Sequence, residues 1–228
     1  MAHPLDRPVW NMLTSCQRPL AVIEGAAVRI DPRYGPFAAA ADGGAAAQAA
    51  LAATLRSGAD EIWVVEPEEW PAPPGTRVVR TAPLAQMLAE HPAPLQPGDD
   101  AAVILGEGDA AHMREIAAAT QPGPWGELTH RYGTFYGLHH DGALQAMAGE
   151  RMRPATGLAE VSGVCTWPQW RGQGCAARLI RRVMAGFTAR GDLPFLHSYA
   201  GNSGAIGLYR TLGFEVRSAM VLTVLARA

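Results

Sequence analysis

Hydrophobic positions in the first hundred residues recur at short intervals that predict small strands and helices. Residues 20–23 and 27–30 flank Glu24-Gly25, a pattern typical of a hairpin. Further strands are predicted at residues 61–65 and 76–80, and helices at residues 44–57 and 82–90. Residues 1–18 carry two prolines and no clear period, so we expect them to be irregular.

The segment of residues 91–100 carries three prolines and a glycine, which is the strongest linker pattern in the chain. Proline and glycine disfavour both helix and sheet, and domain boundaries usually fall in such stretches. We therefore expect two domains, residues 1–100 and 101–228.

The periodicity is clearer after the linker. Strands are predicted at residues 102–105, 132–139, 143–152, 158–166, 194–199, 214–217 and 220–225, and helices at residues 109–118, 174–190 and 203–212. Asp141-Gly142 is a strong hairpin turn between the second and third of these strands. The last two strands are expected to form a closing hairpin.

A glycine-bearing loop joins a strand to the longest predicted helix, in the segment VCTWPQWRGQGCAARLI of residues 164–180. Pro168 lacks an N–H and ends the strand. Gly172 and Gly174 allow positive φ angles and a close approach by a ligand. The first N–H groups of the helix have no partners within it, and Arg171 adds positive charge. Together these features predict a phosphate-binding cradle.

Two nucleotide-binding patterns do not fit this loop. The dinucleotide fingerprint needs a third glycine where this chain has Ala177. The phosphate loop of nucleoside triphosphatases needs a lysine, and all 19 basic residues here are arginine. A glycine pair before a helix also occurs in ordinary tight turns, so the loop alone does not decide the function.

A second motif, NSGAIGLYRTLGF at residues 202–214, follows one predicted strand later. With both motifs, the chain resembles the GNAT superfamily of acyl-CoA-dependent N-acyltransferases, which pairs a Q/R-x-x-G-x-G/A loop with an N-x-x-A-x-x-L-Y-x-x-x-G-F helix. The loop fits in two registers, residues 169–174 and 171–176. The helix matches at Asn202, Ala205, Leu208, Tyr209, Gly213 and Phe214. The resemblance covers residues 101–228.

The resemblance implies an α/β (α+β) fold with a mixed, largely antiparallel central sheet flanked by helices. It also implies acetyl-CoA or another acyl-CoA as co-substrate. The backbones of Val164 and Thr166 would hold the pantetheine, and Asn202 would contact the cofactor. The pyrophosphate would meet the loop residues Arg171, Gly172, Gln173, Gly174, Cys175 and Ala176. Tyr209 would protonate the departing CoA thiolate.

The general base has two candidates. Glu160 lies four residues before Val164 on the same strand, so both side chains are expected to face the same way. A carboxylate there could take the proton of an amine, but it could equally be an ordinary salt-bridge partner. His197, on the next strand, could serve instead, although a lone strand histidine is more often packed than catalytic.

The acceptor site is expected between the loop of residues 121–130 and the strand of residues 132–139. Four residues could supply aromatic surfaces and hydrogen-bonding groups for the acceptor, or could only pack the loop: Trp125, Glu127, His130 and Tyr132. A covalent acyl-enzyme on Cys175 is conceivable because a helix N-terminus lowers thiol pKa values. The resemblance favours direct transfer.

The first hundred residues contain neither motif. Some acyltransferases of this kind carry a degenerate first copy of the fold, and the chain is similar to that arrangement in the glycine-N-acyltransferase-like branch. The segment from Glu150 to Arg153, leading to residues 161–166, supports that branch more loosely. We expect a tandem in which the first copy closes one side of the cleft.

Composition excludes several other classes. The net charge of -2 gives no attraction to nucleic acid or to an anionic membrane. No apolar run reaches membrane-spanning length, and there is no secretory signal pattern, so we expect a cytoplasmic protein. The three cysteines are irregularly spaced, and His139-His140 has no third ligand nearby, so no metal is expected.

The sequence thus predicts an N-acetyltransferase that moves an acetyl or short acyl group to a primary amine of a small molecule or amino acid. A non-catalytic acyl-CoA sensor is the alternative, and Tyr209 weighs against it because binding alone needs no acid. A tRNA-dependent transferase is disfavoured by the cofactor loop and by the near-neutral charge. The acceptor and the oligomeric state stay open.

Overall fold

The computed structural model describes residues 3–228. Its strands are β1 (Ala21–Glu24), β2 (Ala27–Ile30), β3 (Ala38–Ala40), β4 (Glu61–Glu66), β5 (Thr76–Leu88), β6 (Val103–Leu105), β7 (Phe135–His140), β8 (Ala143–Glu150), β9 (Leu158–Thr166), β10 (Leu193–Tyr199) and β11 (Glu215–Arg227). Its helices are α1 (Pro8–Thr14), α2 (Ala45–Ala53), α3 (Ala110–Thr120), α4 (Cys175–Ala189) and α5 (Ser203–Thr211).

Eight of these strands form one central sheet in the order β4-β11-β5-β10-β9-β8-β7-β6. Every neighbouring pair in it is antiparallel except β9 and β10, which run parallel. The remaining strands form a separate antiparallel sheet in the order β1-β2-β3. The predicted mixed, largely antiparallel sheet flanked by helices is therefore confirmed.

Strands from both halves of the chain share the central sheet. β5, from the first half, lies between β10 and β11 and pairs with both. β4 forms the edge beyond β11. A boundary at residue 100 therefore does not separate two sheets, and a tandem of a degenerate and an intact copy is not supported. A single domain fits this topology.

The predicted helix at residues 82–90 is wrong, because these residues continue strand β5 as far as Leu88. Ala, Leu, Gln and Met favour a helix locally, and that propensity suggested the prediction. The chain instead hydrogen-bonds along both edges, to β10 on one side and to β11 on the other. Pairing with partners more than a hundred residues away outweighs a local preference of a few tenths of a kcal/mol per residue.

The predicted closing hairpin at residues 214–225 is also wrong. β11 is a continuous strand with a bulge, in which Val216 pairs with Met87 and Ser218 pairs with Gln86. Arg217 is the extra residue, and a bulge of this kind redirects its side chain. The prediction that residues 1–18 are irregular is wrong in part, since α1 covers Pro8–Thr14 and buries Val9, Met12 and Leu13. Residues 1–2 of that segment lie outside the described residues.

Helices cover both faces of the central sheet. Ala146 and Ala148 of β8 pack in the cluster that holds α4 and α5, whereas Met147 packs against α3. Adjacent strand residues point to opposite faces, so α4 and α3 lie on opposite sides. By the same reasoning Phe195 packs with α1 on the side of α3, and Leu196 with α4. No helix among residues 3–228 is long and apolar enough to cross a membrane.

We expect a fragment of residues 101–228 to fail to form a cooperative fold, because it lacks β5 and leaves facing edges of β10 and β11 unpaired. Thermal unfolding followed by circular dichroism, with the full chain as control, would check this. A fragment that melts cooperatively and binds acetyl-CoA would show that the division at residue 100 is a real domain boundary.

Candidate active site

The two parallel strands separate part of the way along their length. β9 and β10 pair at only three positions, from Leu158 with Leu193 to Glu160 with Phe195. Beyond this point β9 continues to pair with β8, and β10 continues to pair with β5. A gap therefore opens in the middle of the sheet immediately after Glu160, and backbone groups along it are free for a ligand.

A bulge in β9 changes which way the predicted site residues point. Gly163 and Val164 both stand opposite Ala148 of β8, and Gly163 has a φ of 61°. Val164 packs in the cluster of α4, whereas Glu160 bonds His197 and the backbone of Met152 on the other face. The expectation that Glu160 and Val164 face the same way is therefore wrong, because the bulge inserts one residue into the alternation.

The glycine loop forms an open concave surface at the start of α4. Gly172 and Gly174 both have φ of 76°, and a Cβ at either position would meet no atom within 4 Å. The first backbone bond of α4 runs from the Arg178 N–H to the Gly174 carbonyl. In residues 3–228, no backbone hydrogen bond engages the N–H groups of 172–177. They point outward at a helix N-terminus, as anion binding requires.

A cavity of about 800 Å³ connects the glycine loop with the opposite face of the sheet through the gap. It brings together most of the predicted site residues, namely Glu160, Val164, Thr166, Arg171, Gly172, Ala176, Asn202 and Tyr209. Gln173, Gly174 and Cys175 do not line it. The Cys175 thiol is buried and directed at the Trp170 carbonyl, 3.8 Å away, so the structure gives no support to an acyl-cysteine.

Helix α5 supplies the wall of the cavity on the α4 face. The Asn202 side chain accepts a hydrogen bond of 3.2 Å from the Ala205 N–H and so caps the helix. Two turns later, Tyr209 lines the cavity, and its hydroxyl bonds no side chain or backbone group of the described residues. Burial raises the pKa of the Tyr209 phenol, which therefore stays protonated near neutral pH and can donate a proton.

Glu160 and His197 form a hydrogen-bonded pair on the opposite face. The His197 Nδ1 lies 2.8 Å from Glu160 Oε1, and the Met152 N–H donates to Glu160 Oε2 at 3.3 Å. Each oxygen of the Glu160 carboxyl group therefore accepts one hydrogen bond. The two base candidates are one unit rather than alternatives, which the sequence separation of 37 residues did not indicate.

The tautomer of His197 follows from its second partner, Gln86. Arg217 donates to Gln86 Oε1 at 2.8 Å, so the Gln86 amide nitrogen must face the histidine. That nitrogen lies 2.8 Å from the Leu5 carbonyl and 3.1 Å from His197 Nε2. His197 Nε2 is therefore an acceptor, and its proton resides on Nδ1, from which it donates to Glu160. Arg217, displaced by the β11 bulge, and Gln86 of β5 hold this tautomer in place.

The residues that line the cavity on the Glu160 face, where the amine acceptor is expected, differ from those predicted for the acceptor site. Residues 120–124 contribute to its lining, as the loop prediction implied, but Trp125, Glu127, His130 and Tyr132 do not. Trp125 packs on Phe135, and His130 lies 3.3 Å from Glu107. The apolar wall comes from the first half of the chain and from β11, through Phe37, Trp63, Val65, Leu84 and Leu222.

One pattern in the sequence could have indicated that residues of β4 belong to the cavity wall. Trp63 and Val65 alternate in β4 with Ile62 and Val64, which pack with α2. A strand that is apolar on both faces must be covered on both, so β4 could have been assigned to a sheet with packed layers on its two faces. The pairing partner could not have been identified in this way.

Comparisons with known proteins agree with this architecture. The family model described as FR47-like protein matches residues 135–222, from β7 into β11. A crystal structure of a GNAT-family protein from Novosphingobium aromaticivorans is similar over 100% of both chains, with 58% identity and a TM-score of 0.93. No curated protein matches the chain.

More distant structures share the fold alone. A GCN5-related N-acetyltransferase from Kribbella flavida has 20% identity and a TM-score of 0.62, covering 95% of each chain. One from Sphaerobacter thermophilus has 17% identity and a TM-score of 0.55, covering 98% of this chain and 93% of its own. The likeness extends over the first hundred residues as well.

We expect Gly174→Glu to abolish the rise in melting temperature that acetyl-CoA gives the wild type, because a carboxylate at the helix N-terminus repels phosphates. Gly191→Glu is a matched control, since Gly191 follows the other end of α4 with a φ of 80° and equally open space. Both variants should lose about 1 kcal/mol of stability through backbone strain. Equal loss of the acetyl-CoA response in both would contradict the cradle.

Proposed function

The chain belongs to the GNAT family of acetyltransferases, and we propose that it transfers an acetyl or short acyl group from acyl-CoA directly to the primary amine of a small molecule. It is an acyl-CoA-dependent N-acyltransferase, and family members use acetyl-CoA as co-substrate. The observation that carries the proposal is the cavity that runs through the gap between β9 and β10, with a proton donor on one face and a proton acceptor on the other.

The cofactor half of the cavity suits a long ligand with phosphates at one end. The N–H groups at the start of α4 and the Arg171 guanidinium would hold the pyrophosphate. The backbones of Val164 and Thr166 would bind the pantetheine in the gap, and Asn202 would contact it from α5. Thr166 Oγ1 supports this role, because it is buried without a hydrogen-bond partner among the described residues and lines the cavity.

The proton transfers balance across the sheet. Glu160 takes a proton from the acceptor ammonium and releases it to solvent, and it takes the second nitrogen proton in the same way as the amine attacks the thioester carbon. A carbon–nitrogen bond forms, and the carbon–sulfur bond breaks. Tyr209 donates its phenolic proton to the leaving sulfur, and solvent restores that proton. Glu160 and Tyr209 lie on opposite faces of the sheet. Glu160 therefore acts only as a proton acceptor and Tyr209 only as a proton donor within one turnover.

His197 and Gln86 act through Glu160. With its proton held on Nδ1, His197 donates to the carboxylate and fixes its orientation. The Gln86 amide nitrogen, 3.1 Å from His197 Nε2, keeps the histidine in this tautomer. The two residues therefore orient the carboxylate of Glu160, which is the base.

A non-catalytic acyl-CoA sensor is the second candidate. It would need the cradle and the gap but no oriented carboxylate behind them. The buried Glu160 with two donors argues against it, since an unused buried carboxylate costs free energy. A closer relationship to the glycine-N-acyltransferase-like branch, drawn from Glu150–Arg153 and residues 161–166, stays a proposal.

We expect Tyr209→Phe to lower kcat by about 100-fold or more, the usual range for removing a general acid, while acetyl-CoA binding persists. Tyr136→Phe is the control, because Tyr136 packs in the same core without lining the cavity. Steady-state release of CoA thiol with a panel of amines would measure both. An unchanged kcat in Tyr209→Phe would assign the proton donor elsewhere, and thiol release from no amine would favour the sensor.

A further inference from the structure

A buried arginine without an acidic partner lies at the acceptor end of the cavity. Arg151 is 5% exposed and lines the cavity together with Glu160 and Phe37. Its Nη2 donates to the Pro124 carbonyl at 3.0 Å, and its guanidinium lies 5.7 Å from the centre of the Phe37 ring. Within residues 3–228 it forms no ion pair. A buried guanidinium with one neutral acceptor is costly unless an anion completes its environment.

Arg151 and Glu160 are direct neighbours across two strands. The Arg151 N–H donates to the Glu160 carbonyl at 3.1 Å, and both residues line the cavity. Residues placed in this way usually have Cβ atoms about 5 Å apart, within reach of an ion pair. They do not make one, since Glu160 is engaged by His197 and Met152, and Arg151 by Pro124. A positive and a negative group thus face the cavity side by side.

We propose that the acceptor is a free α-amino acid with an apolar side chain, whose carboxylate binds Arg151 while its ammonium meets Glu160. This inference rests on the proposed acyl transfer and narrows its acceptor. In an α-amino acid the two charges are separated by one carbon atom, which suits two adjacent side chains of opposite charge. The planar fork of Arg151 matches a carboxylate with two parallel hydrogen bonds.

The walls around this charge pair determine what side chain fits. Phe37, Trp63, Val65, Leu84 and Leu222 line the same end of the cavity, with the Phe37 and Trp63 rings in an edge-on contact 6.3 Å apart. No acidic residue other than Glu160 lines the cavity in the part of the chain that the structure describes. A branched aliphatic or aromatic side chain would be buried there, whereas a second charge would find no partner.

The acceptor requirement can be tested with three probes that differ in one group: L-phenylalanine, L-phenylalaninamide and 2-phenylethylamine. Wild type should acetylate L-phenylalanine with a kcat/KM about 100-fold above that of 2-phenylethylamine, because only the first carries the carboxylate. L-Leucine, leucinamide and 3-methylbutylamine form a second series. Equal rates for the three members of both series would overturn the assignment and point to an acceptor without a free carboxylate, such as a peptide N-terminus.

The variant Arg151→Gln tests the residue itself. It should lower kcat/KM for L-phenylalanine by about 100-fold and change that for 2-phenylethylamine by less than about threefold. Comparing each acceptor between wild type and variant cancels the intrinsic reactivity of the amine. Arg80→Gln is the control, since Arg80 lies over the outer side of the Trp63 ring, 4.8 Å away, and does not line the cavity. A uniform loss with all acceptors would make Arg151 a structural residue and overturn the proposal.

Acetyl-CoA binding separates this inference from the proposed function. If acetyl-CoA raises the melting temperature of the wild type but no amino acid is acetylated, the acceptor assignment fails and the cofactor site stands. If acetyl-CoA has no effect on the wild type, both fail. Should Arg151→Gln not fold, Arg151→Lys keeps the charge without the planar fork and should lower kcat/KM for L-phenylalanine by about tenfold. The rates of the wild type with the two acceptor series would then test the requirement for a carboxylate without any variant.

Discussion

The separation of β9 from β10 after the Glu160–Phe195 pair is the feature on which the rest of the site depends. Within a sheet, each strand edge must find a hydrogen-bonding partner, and two strands that separate expose unpaired groups in the protein interior. Here β8 holds one strand and β5 holds the other, so the gap is kept open by pairing on its outer sides. The cavity, the cofactor wall and the acceptor wall all follow from it.

The first half of the chain is part of this arrangement and not an appendage to it. β5 pairs with the outer edge of β10 and contributes Gln86, which fixes the tautomer of His197. Phe37 and Trp63 close the acceptor end of the cavity. The separation of proton donor and proton acceptor onto two faces of one sheet requires both halves, because α5 belongs to the second and the apolar wall largely to the first.

Features encoded by local sequence could be predicted, and features set by distant pairing could not. The cradle at the start of α4 and the motif of α5 each lie within a dozen residues, and the structure brings Arg171, Asn202 and Tyr209 to one cavity. The helix expected at residues 82–90 became β5 because strands from the far end of the chain pair with it. One inserted residue at Gly163–Val164 reversed the direction inferred for Glu160. Gly163, with a φ of 61°, was the local signal of this bulge, because an isolated glycine inside a strand often marks one.

Hydrogen exchange with and without acetyl-CoA would test the central account most directly, because it reports on individual backbone amides of the intact protein. Binding should slow exchange at residues 172–177 and along β9 beyond Glu160, where the gap leaves amides free, and should leave α3 unchanged. Protection confined to other segments, or no protection at concentrations that saturate the protein, would contradict an acyl-CoA bound in the gap between β9 and β10.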